Sequence, residues 1–468
     1  MGGSVWVTDG SELRQVGKGA ANEPNSRKIP AVGDVVIAGS GGLPPALSGS
    51  RLLLVNEGAK AFASALEPEI RRRMKRAGAG VAEHSAEDSG TVTKRLRVSL
   101  FQLQPIAVEL LLVRRGALPH GSGTSGIGQL KEEDGRYRSV TRLAARALYA
   151  AGLDCGIVEL TADERGRFAV AGVSLPPLRQ LSEGSGVWGE AARRLAAELD
   201  AAGQPESGGD ILLGADPEFL LLTDSGKVVS AARYLEGGHG AGCDGVVIGG
   251  RVQYPIAELR PAPAGSPAAL ARNIQKLLQL ASQRIPDQPP LRWTAGGMPA
   301  AGFALGGHLH LSGVPFSGRL LRLLDSCLAF PLAMIESPAE QARRPRYGYL
   351  GDFRLQPHGG FEYRTLPSWL ASPLAAKAAF AMALLCAREW LSLTSCPAAD
   401  ERFVDAYYSG DRDELRGCAD DLVAAMAGTE SYAELGGWIE PLFEAIRERR
   451  TWDPAADFRA KWRIGTKG

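Results

Sequence analysis

The segment GGHLHLSG, from Gly306 to Gly313, places His308 and His310 two positions apart in an apolar stretch bracketed by glycine. The whole chain contains only six histidines. Side chains alternate between the two faces of a strand, so both imidazoles are predicted to lie on the same face of a sheet. The segment therefore predicts a sheet with a polar face that carries two histidines.

Three other apolar segments repeat this two-residue spacing. GADPEFLLL, YPIAELRPAP and GGFEYRTLPSW contain, respectively, Asp216 and Glu218, Glu258 and Arg260, and Glu362 and Arg364. For any single pair, a solvated strand face is the simpler interpretation. Four pairs set among Phe, Leu, Ile, Gly and Pro instead favour one shared polar face. Because Pro217 cannot donate to a strand ladder, the first segment is expected to be an edge strand or to bulge there.

The chemistry of this face indicates bound cations. Crowded carboxylates repel one another and take up protons unless cations join them. An oxygen-rich set with an occasional imidazole suits Mg²⁺ or Mn²⁺, whereas zinc prefers more nitrogen or sulfur. Arginines beside such metals recognise carboxylate or phosphate groups. The sequence has no GxxxxGK[ST] motif, so metals and arginines would have to hold the phosphates of a nucleotide.

The length of the chain and the changes in composition along it predict at least two domains. The chain has 468 residues, and domains average roughly 150. The stretch AAGQPESGGD reads as a linker, which gives predicted domains at 1–204 and 211–468. In the second domain, strands and a helix over about 266–284, capped by Ser266 and Pro267, precede a mostly helical region from about 372. This order predicts an α+β domain built on an antiparallel sheet with helices on one face.

The net charge and the cysteine content limit the cellular compartments and the classes of binding partner to be expected. The net charge of +1 provides no field that would recruit nucleic acid or an anionic membrane. The N-terminus lacks the pattern of a signal peptide, and the apolar run LAAKAAFAMALLCA is too short to span a bilayer and predicts a buried helix. The six cysteines are scattered and are predicted to be reduced core thiols. We therefore expect a cytoplasmic protein without nucleic-acid or membrane partners, and a homo-oligomer is left open.

The ordered motifs resemble one enzyme family. GADPEF, GCDGV, AELRPAP, GGHLHLSG, RPRYGYLGDFR and QPHGGFEYRTLPSWL resemble those of the phage-type (phiEco32-like, type 2) amidoligases over about 211–395. These are carboxylate–amine ligases related to glutamine synthetase and glutamate–cysteine ligase. The resemblance implies an antiparallel sheet that carries two or three Mg²⁺ ions. It also implies that ATP phosphorylates a carboxylate, after which an amine displaces the phosphate.

The resemblance assigns roles to individual residues. The implied metal ligands are Asp216, Glu218, Glu258, His308 and Glu362. The residues implied to contact the reacting groups are His308, Arg354 and Arg364. Those implied to bind the nucleotide are Arg260, Arg354 and His310. Larger relatives have Glu where this chain has Asp216, and Pro217 intervenes before the next acid, so the number of metal ions stays open.

The N-terminal region resembles a shortened ATP-grasp domain, carried by RVSLFQLQ, TRLAARALYAAGLDCGIVEL and FAVAGVSLPP. ATP-grasp enzymes hold magnesium with Glu and Asn on their last strand. The matching positions here are Gly172 and Ser174, and only Glu159 remains at an earlier acidic position. Neutral groups do not hold a divalent ion against water. We therefore expect a degenerate α/β companion domain without catalysis of its own.

Two other functions stay open at this point: a metal-dependent hydrolase, and a non-enzymatic assembly protein of the spore-coat type. The carboxylate and the amine that a ligase would join are not predicted. Asp244 is interpreted as a turn residue or a further site acid. The other polar and aromatic residues near the motifs are expected to serve loops, turns or packing, namely His239, Tyr347, Tyr349, His358 and Trp369.

Overall fold

The computed structural model describes residues 3–16, 29–47, 51–82, 93–113, 125–163, 165–202, 210–357 and 359–465. The chain divides into two compact units. Met1–Gly208 together with Pro315–Arg319 form the first unit, and Gly209–Val314 together with Leu320–Gly468 form the second. Most of the predicted linker, 203–209, lies outside the described residues. The predicted domain roles, a companion at 1–204 and a ligase at 211–468, remain a proposal.

The first unit begins with a small mixed sheet. Its strands are β1 (Val5–Thr8), β2 (Leu13–Gln15), β3 (Val35–Ala38) and β4 (Leu53–Val55), in the order β2-β1-β3-β4. Strands β1, β3 and β4 are parallel, and β2 is antiparallel to β1. Parallel strands are buried on both faces, which explains the continuous apolar runs VVIA and LLV. Helices α1 (Ala59–Ser64) and α2 (Glu67–Arg76) follow.

A five-stranded antiparallel sheet completes the first unit. It contains β5 (Thr93–Phe101), β6 (Gln104–Val113), β7 (Ser125–Gln129), β8 (Gly156–Ala162) and β9 (Phe168–Ser174), in the order β7-β6-β5-β8-β9. Between β7 and β8, helix α3 (Tyr137–Ala150) buries its apolar stripe, and α4 (Leu178–Glu183) and α5 (Gly186–Ala202) end the unit. Strands β5 and β6 meet in a two-residue turn, Gln102 and Leu103, with φ of 49° and 60°. Such turns twist with the strands they join.

The second unit is built on one antiparallel sheet. Its path is β12 (Gly240–Ile248), β13 (Arg251–Arg260), β10 (Leu212–Leu222), β15 (Gly307–Ser312), β17 (Phe361–Tyr363) and β16 (Phe353–Leu355). Two short strands, β11 (Val228–Val229) and β14 (Arg292–Thr294), also pair with β10. The four segments with paired polar residues thus form consecutive neighbours, β13-β10-β15-β17. The fold class predicted for this region is confirmed.

Strand β10 is central in the sheet, but at Pro217 itself it pairs only with β15, so the strand is locally an edge there, as expected. Its Leu212–Pro217 part pairs with β15, while β13 pairs with it only at Glu218 and Phe219. The amide of Glu218 donates to Gly306 O on the β15 side. Backbone amides alternate in direction, so the missing donor of Pro217 faces the side on which the ladder to β13 begins one residue later. The proline therefore removes no ladder bond.

Helices cover the sheet and fill the C-terminal region. They are α6 (Pro267–Arg284), α7 (Gly318–Leu324), α8 (Phe330–Ile335), α9 (Pro373–Glu389), α10 (Glu401–Ser409), α11 (Arg412–Arg416), α12 (Ala419–Ala427) and α13 (Tyr432–Arg447). Helix α6 has the predicted Ser266 cap and Pro267 start. Both α6 and α9 pack against β10, and α9 is buried over most of its length. This burial agrees with the interpretation of the apolar run as a core helix.

The core lies between the sheet and these helices. Phe219, which alternates with Glu218 on β10, stacks on Trp293 with ring centroids 5.0 Å apart. Trp369 is fully buried, packs edge-on against Phe380 and donates to Gly307 O. All six cysteines are free thiols, and five are buried. Among the described residues, no helix is long and apolar enough to cross a membrane.

Candidate active site

The antiparallel register places the polar residues opposite one another on a single face. Asp216 on β10 lies across from His308 on β15, and His310 lies across from Glu362 on β17. Glu218 pairs with Glu258 on β13, and Glu362 also pairs with Arg354 on β16. Directly opposed residues have Cβ atoms about 4.5–5.5 Å apart, so each pair brings its functional groups within reach. Alternation and register together create the cluster.

Three of these side chains form the centre of the site. Ligand atoms of Asp216, His308 and Glu362 all lie within 4.8 Å of one another. Nδ1 of His308 is 3.1 Å from Oδ1 of Asp216 and 3.3 Å from Oε1 of Glu362. Nε2 of His310 is 3.3 Å from Oδ2 of Asp216. Both histidines therefore contact the carboxylate of Asp216 from the same face of β15, as the alternation of side chains predicts.

Two arginines flank Glu362, whose side chain is only 1% exposed. Arg364 Nη1 lies 2.5 Å from Oε1, and Arg354 Nη1 lies 3.2 Å from Oε2. The Arg354 side chain is 53% exposed, whereas that of Arg364 is 23% exposed. Arg354 thus stands at the rim of the site, and Arg364 lies deeper.

Glu218 and Glu258 extend the acidic surface by one strand. Oε2 of Glu218 accepts a hydrogen bond from the Gly306 amide at 2.6 Å. Glu258 forms an ion pair with Arg260, which in turn donates to Gly238 O at 2.7 Å. Arg260 therefore ties the second acidic pair to the glycine-rich loop before β12.

Glycine is required where this surface is most crowded. A Cβ atom at Gly306 would collide with the imidazole of His308. A Cβ atom at Gly214 would lie 3.2 Å from the Cβ of His310. The small residues around the two histidines therefore leave room for the rings on the polar face.

Burial and mutual proximity perturb the acidities of these groups. Burial raises the pKa of Glu218 to about 7, against the lowering effects of His308 and of the Gly306 amide. For Asp216, burial raises the pKa, but the neighbouring His308 and His310 outweigh it and the net shift is downward. Burial lowers the pKa of His308, but Asp216 and Glu218 outweigh it and the net shift is upward. Such opposed shifts mark sites where charge is concentrated.

Several buried polar atoms of the site have no hydrogen-bond partner among the described residues. They include Oδ1 of Asp216 and Nε2 of His310. Buried polar atoms are nearly always satisfied, so unpaired ones at a carboxylate cluster indicate a missing ligand. Carboxylate oxygens with an imidazole nitrogen form a donor set suited to Mg²⁺ or Mn²⁺. The residues present therefore fit a divalent cation.

Two further acids belong to this surface. Asp244 lies on β12 at a bulge, so the interpretation as a turn residue is wrong, and its charge contributes to the raised pKa of Glu218. Asp352 accepts a hydrogen bond from the Tyr349 hydroxyl at 2.6 Å. Its backbone carbonyl accepts from the Arg364 amide. The GDFR motif contained Asp352, but no sequence signal distinguished it from a loop residue.

The remaining candidates have other surroundings. Tyr347 is 48% exposed and His239 lies in an exposed loop, while Trp369 is a packing residue. His358 lies outside the described residues. The buried Arg343 donates to the carbonyls of Thr365 and Leu366, at 3.0 and 3.2 Å. It thereby fixes the backbone that directly follows Arg364, and sequence reasoning did not identify it.

These features define a protein with a carboxylate face on an antiparallel sheet, flanked by arginines, whose donor atoms fit a divalent cation. Residues 213–464, more than half of the chain, match the family model of the phage phiEco32-like COOH–NH2 ligases, type 2. The chain therefore belongs to this ligase family, as the motifs predicted. No curated protein sequence matches the chain.

Some solved structures show remote similarity. The ATP-grasp ligase PsnB, solved with minimal precursor, Mg and ADP, is 13% identical, with 32% of this chain and 62% of that chain covered and a TM-score of 0.23. A bifunctional glutathione synthetase from Pasteurella multocida is 11% identical, with 53% and 48% covered and a TM-score of 0.31. GmaS without ligand is 15% identical, with 60% and 76% covered and a TM-score of 0.32. The match thus spans less than two thirds of the first two chains.

Proposed function

We propose that this chain is an ATP- and Mg²⁺-dependent carboxylate–amine ligase that forms an amide or isopeptide bond through an acyl phosphate. Membership of the ligase family supplies the class of reaction. The observation that supports the metal-dependent mechanism is the cluster of the buried Glu362 and the half-buried Asp216 and His308 beside two arginines. A set of acids with unpaired atoms suits a cation, and arginines suit phosphate and carboxylate groups.

The proposed metal ligands are Asp216, Glu218, Glu258, His308 and Glu362. A bound divalent cation would neutralise charge on the phosphates of ATP. His310 lies beside Oδ2 of Asp216, whereas His308 lies beside Oδ1, and we assign His310 to the orientation of that carboxylate and to the nucleotide. We assign Arg260, which lies next to the glycine-rich loop, to the binding of the nucleotide.

The arginines act on the reacting groups. An oxygen of the substrate carboxylate attacks the γ-phosphorus, the bond to the β-phosphate oxygen breaks, and ADP leaves. The amine then attacks the acyl carbon, loses a proton, and inorganic phosphate leaves. Arg364, held beside Glu362, and Arg354, at the rim, stabilise charge on the transferred phosphoryl group. Glu362 holds both guanidinium groups in place.

Hydroxylamine trapping tests this proposal. It is a small nucleophile that intercepts an acyl phosphate even when the natural amine is unknown. Amino acids and cell-wall peptides are screened as carboxylate substrates with ATP and Mg²⁺, and ADP and hydroxamate are measured together. The proposal expects both products in equal amounts from at least one carboxylate.

Other outcomes identify other functions. Substrate cleavage without ATP would indicate a hydrolase, and the absence of both products would indicate an assembly protein. ADP without hydroxamate from any carboxylate would indicate an ATPase or a kinase. Each of these results contradicts the ligase proposal.

A further inference from the structure

A cavity in the C-terminal unit lies among helices. Its volume is about 370 Å³, and residues of α6, α9 and α13 and of the segment after α13 line it. Four of the lining side chains are cationic, namely Arg272, Lys377, Lys461 and Arg463. None of the described residues that line the cavity is acidic. Lys377 is half-buried, and Arg272, Lys461 and Arg463 are exposed, so the cavity is an open recess with a positively charged rim.

None of these four cations forms an ion pair with another described residue. In the part of the chain that the structure describes, no carboxylate lies within 4.0 Å of any of the four. Lys461 instead donates to Ala371 O at 3.1 Å, and Lys377 lies over the ring of Trp438, with Nζ 5.5 Å from the centroid. Unpaired cations in one cavity repel one another, and an anionic ligand would relieve that repulsion.

The walls of the cavity are fixed by hydrogen bonds. Trp462 is buried, and its indole donates to Leu370 O at 2.8 Å. Gln275 on α6 donates to Trp462 O at 3.0 Å. These bonds hold the C-terminal segment against α6 and the start of α9. The cavity is thus preformed, as small-molecule sites commonly are.

We propose that this cavity binds a small molecule that carries phosphate groups and a planar ring, the chemistry of a nucleotide. The four cations would bind the phosphates, and the half-buried Trp438 offers an aromatic surface on which a ring stacks. A volume of about 370 Å³ lies within the range of ligand pockets, roughly 300–1,000 Å³. The residues are separate from those of the acidic face, and the inference does not depend on the proposed ligase activity.

The test measures ADP and pyrophosphate binding to the full chain by equilibrium dialysis in EDTA. EDTA removes the divalent cation that the proposed active site needs for its nucleotide, whereas the cationic cavity needs no metal. The proposal expects saturable binding of one ADP per chain. Arg272→Glu should weaken it at least about tenfold, because a cation is replaced by an anion. Arg284→Glu, on the same helix but outside the cavity, should leave the affinity within about twofold.

The ring is tested separately. ADP should bind at least about fivefold more tightly than pyrophosphate, the scale of one stacked base. Trp438→Leu should remove this difference, and Trp438→Phe should keep it. The proposal is overturned if ADP does not bind in EDTA, if Arg272→Glu and Arg284→Glu have equal effects, or if pyrophosphate binds as tightly as ADP. Lys377→Ala provides an independent check, with an expected loss of at least about threefold.

Discussion

Acidic residues have different surroundings in the two antiparallel sheets of this protein. In the C-terminal sheet, Glu362 is 1% exposed and is surrounded by arginines and histidines, and Oδ1 of the neighbouring Asp216 is buried without a hydrogen bond. In the five-stranded N-terminal sheet, Glu159 on β8 is 42% exposed, lies 3.4 Å from Arg97, and pairs across the sheet with Gly172.

The difference between Glu159 and the acids of the C-terminal sheet shows which acidic residues need a bound ligand. An exposed ion pair contributes little and needs no further partner. Buried carboxylates with unpaired atoms are costly unless something else compensates them. We therefore expect that Glu159 does not hold a metal ion. We expect the functional difference between the two sheets to be as large as the structural one.

Arg364→Ala is expected to have the largest effect. It removes a cation that lies 2.5 Å from Glu362 in a partly buried site, and preorganised charge of this kind is worth about 10³-fold in rate. Hydroxamate formation should fall by about that factor. Arg97→Ala, which removes the arginine of the N-terminal ion pair, should change the rate less than about twofold. Equal losses in the two variants would contradict the assignment.

Glu362→Gln is expected to weaken Mg²⁺ or Mn²⁺ binding at least about tenfold, because it removes a charged ligand from the central cluster. Glu159→Gln is the matched control in the other sheet and should leave the affinity unchanged. Isothermal titration measures both. Unchanged affinity in the Glu362 variant would remove this residue from the set of metal ligands.

Glu218→Gln should stabilise the metal-free protein at pH 8. The pKa of Glu218 is raised to about 7 from a usual value of 4.5, so the folded state binds a proton more tightly than the unfolded state. Stability is therefore lost as pH rises from about 4.5 to 7. Glutamine keeps the acceptor for Gly306 and removes this loss, which amounts to about 1–3 kcal/mol. Denaturant titrations in EDTA should show the gain at pH 8 and almost none at pH 4.5; a gain independent of pH would contradict the cause.

Glu159→Gln is expected to have the smallest effect. An exposed ion pair at 3.4 Å contributes less than about 0.5 kcal/mol to the free energy of unfolding. Denaturant titrations at two salt concentrations measure it. A loss above about 2 kcal/mol would show that Glu159 has a structural role that its exposure does not suggest.

Much of the acidic face could be predicted because alternation and composition are local properties. The pairs Asp216 and Glu218, and His308 and His310, lie on the polar face of neighbouring strands, where the spacing of two places them. The helix that begins at Pro267 was equally predictable, since a serine cap and a proline start are encoded in adjacent residues.

The features that the sequence left open or did not reveal depend on partners far along the chain. Whether Pro217 disrupts a ladder depends on where β13 begins to pair. The sequence left Asp244 open between a turn residue and a further site acid, and only the pairing with β13 shows that it lies on a strand. The role of Arg343 depends on the carbonyls of Thr365 and Leu366, and nothing in the local sequence reveals them.

The central claim is that the buried acids of the C-terminal sheet bind the divalent cation. Anomalous diffraction from crystals grown with Mn²⁺ tests it most directly. We predict a peak within about 2.0–2.6 Å of oxygen atoms of Asp216 and Glu362 and beside the His308 ring, and none at Glu159. Mn²⁺ at Glu159, or its absence from the Asp216–His308–Glu362 cluster at saturating concentration, would contradict the account.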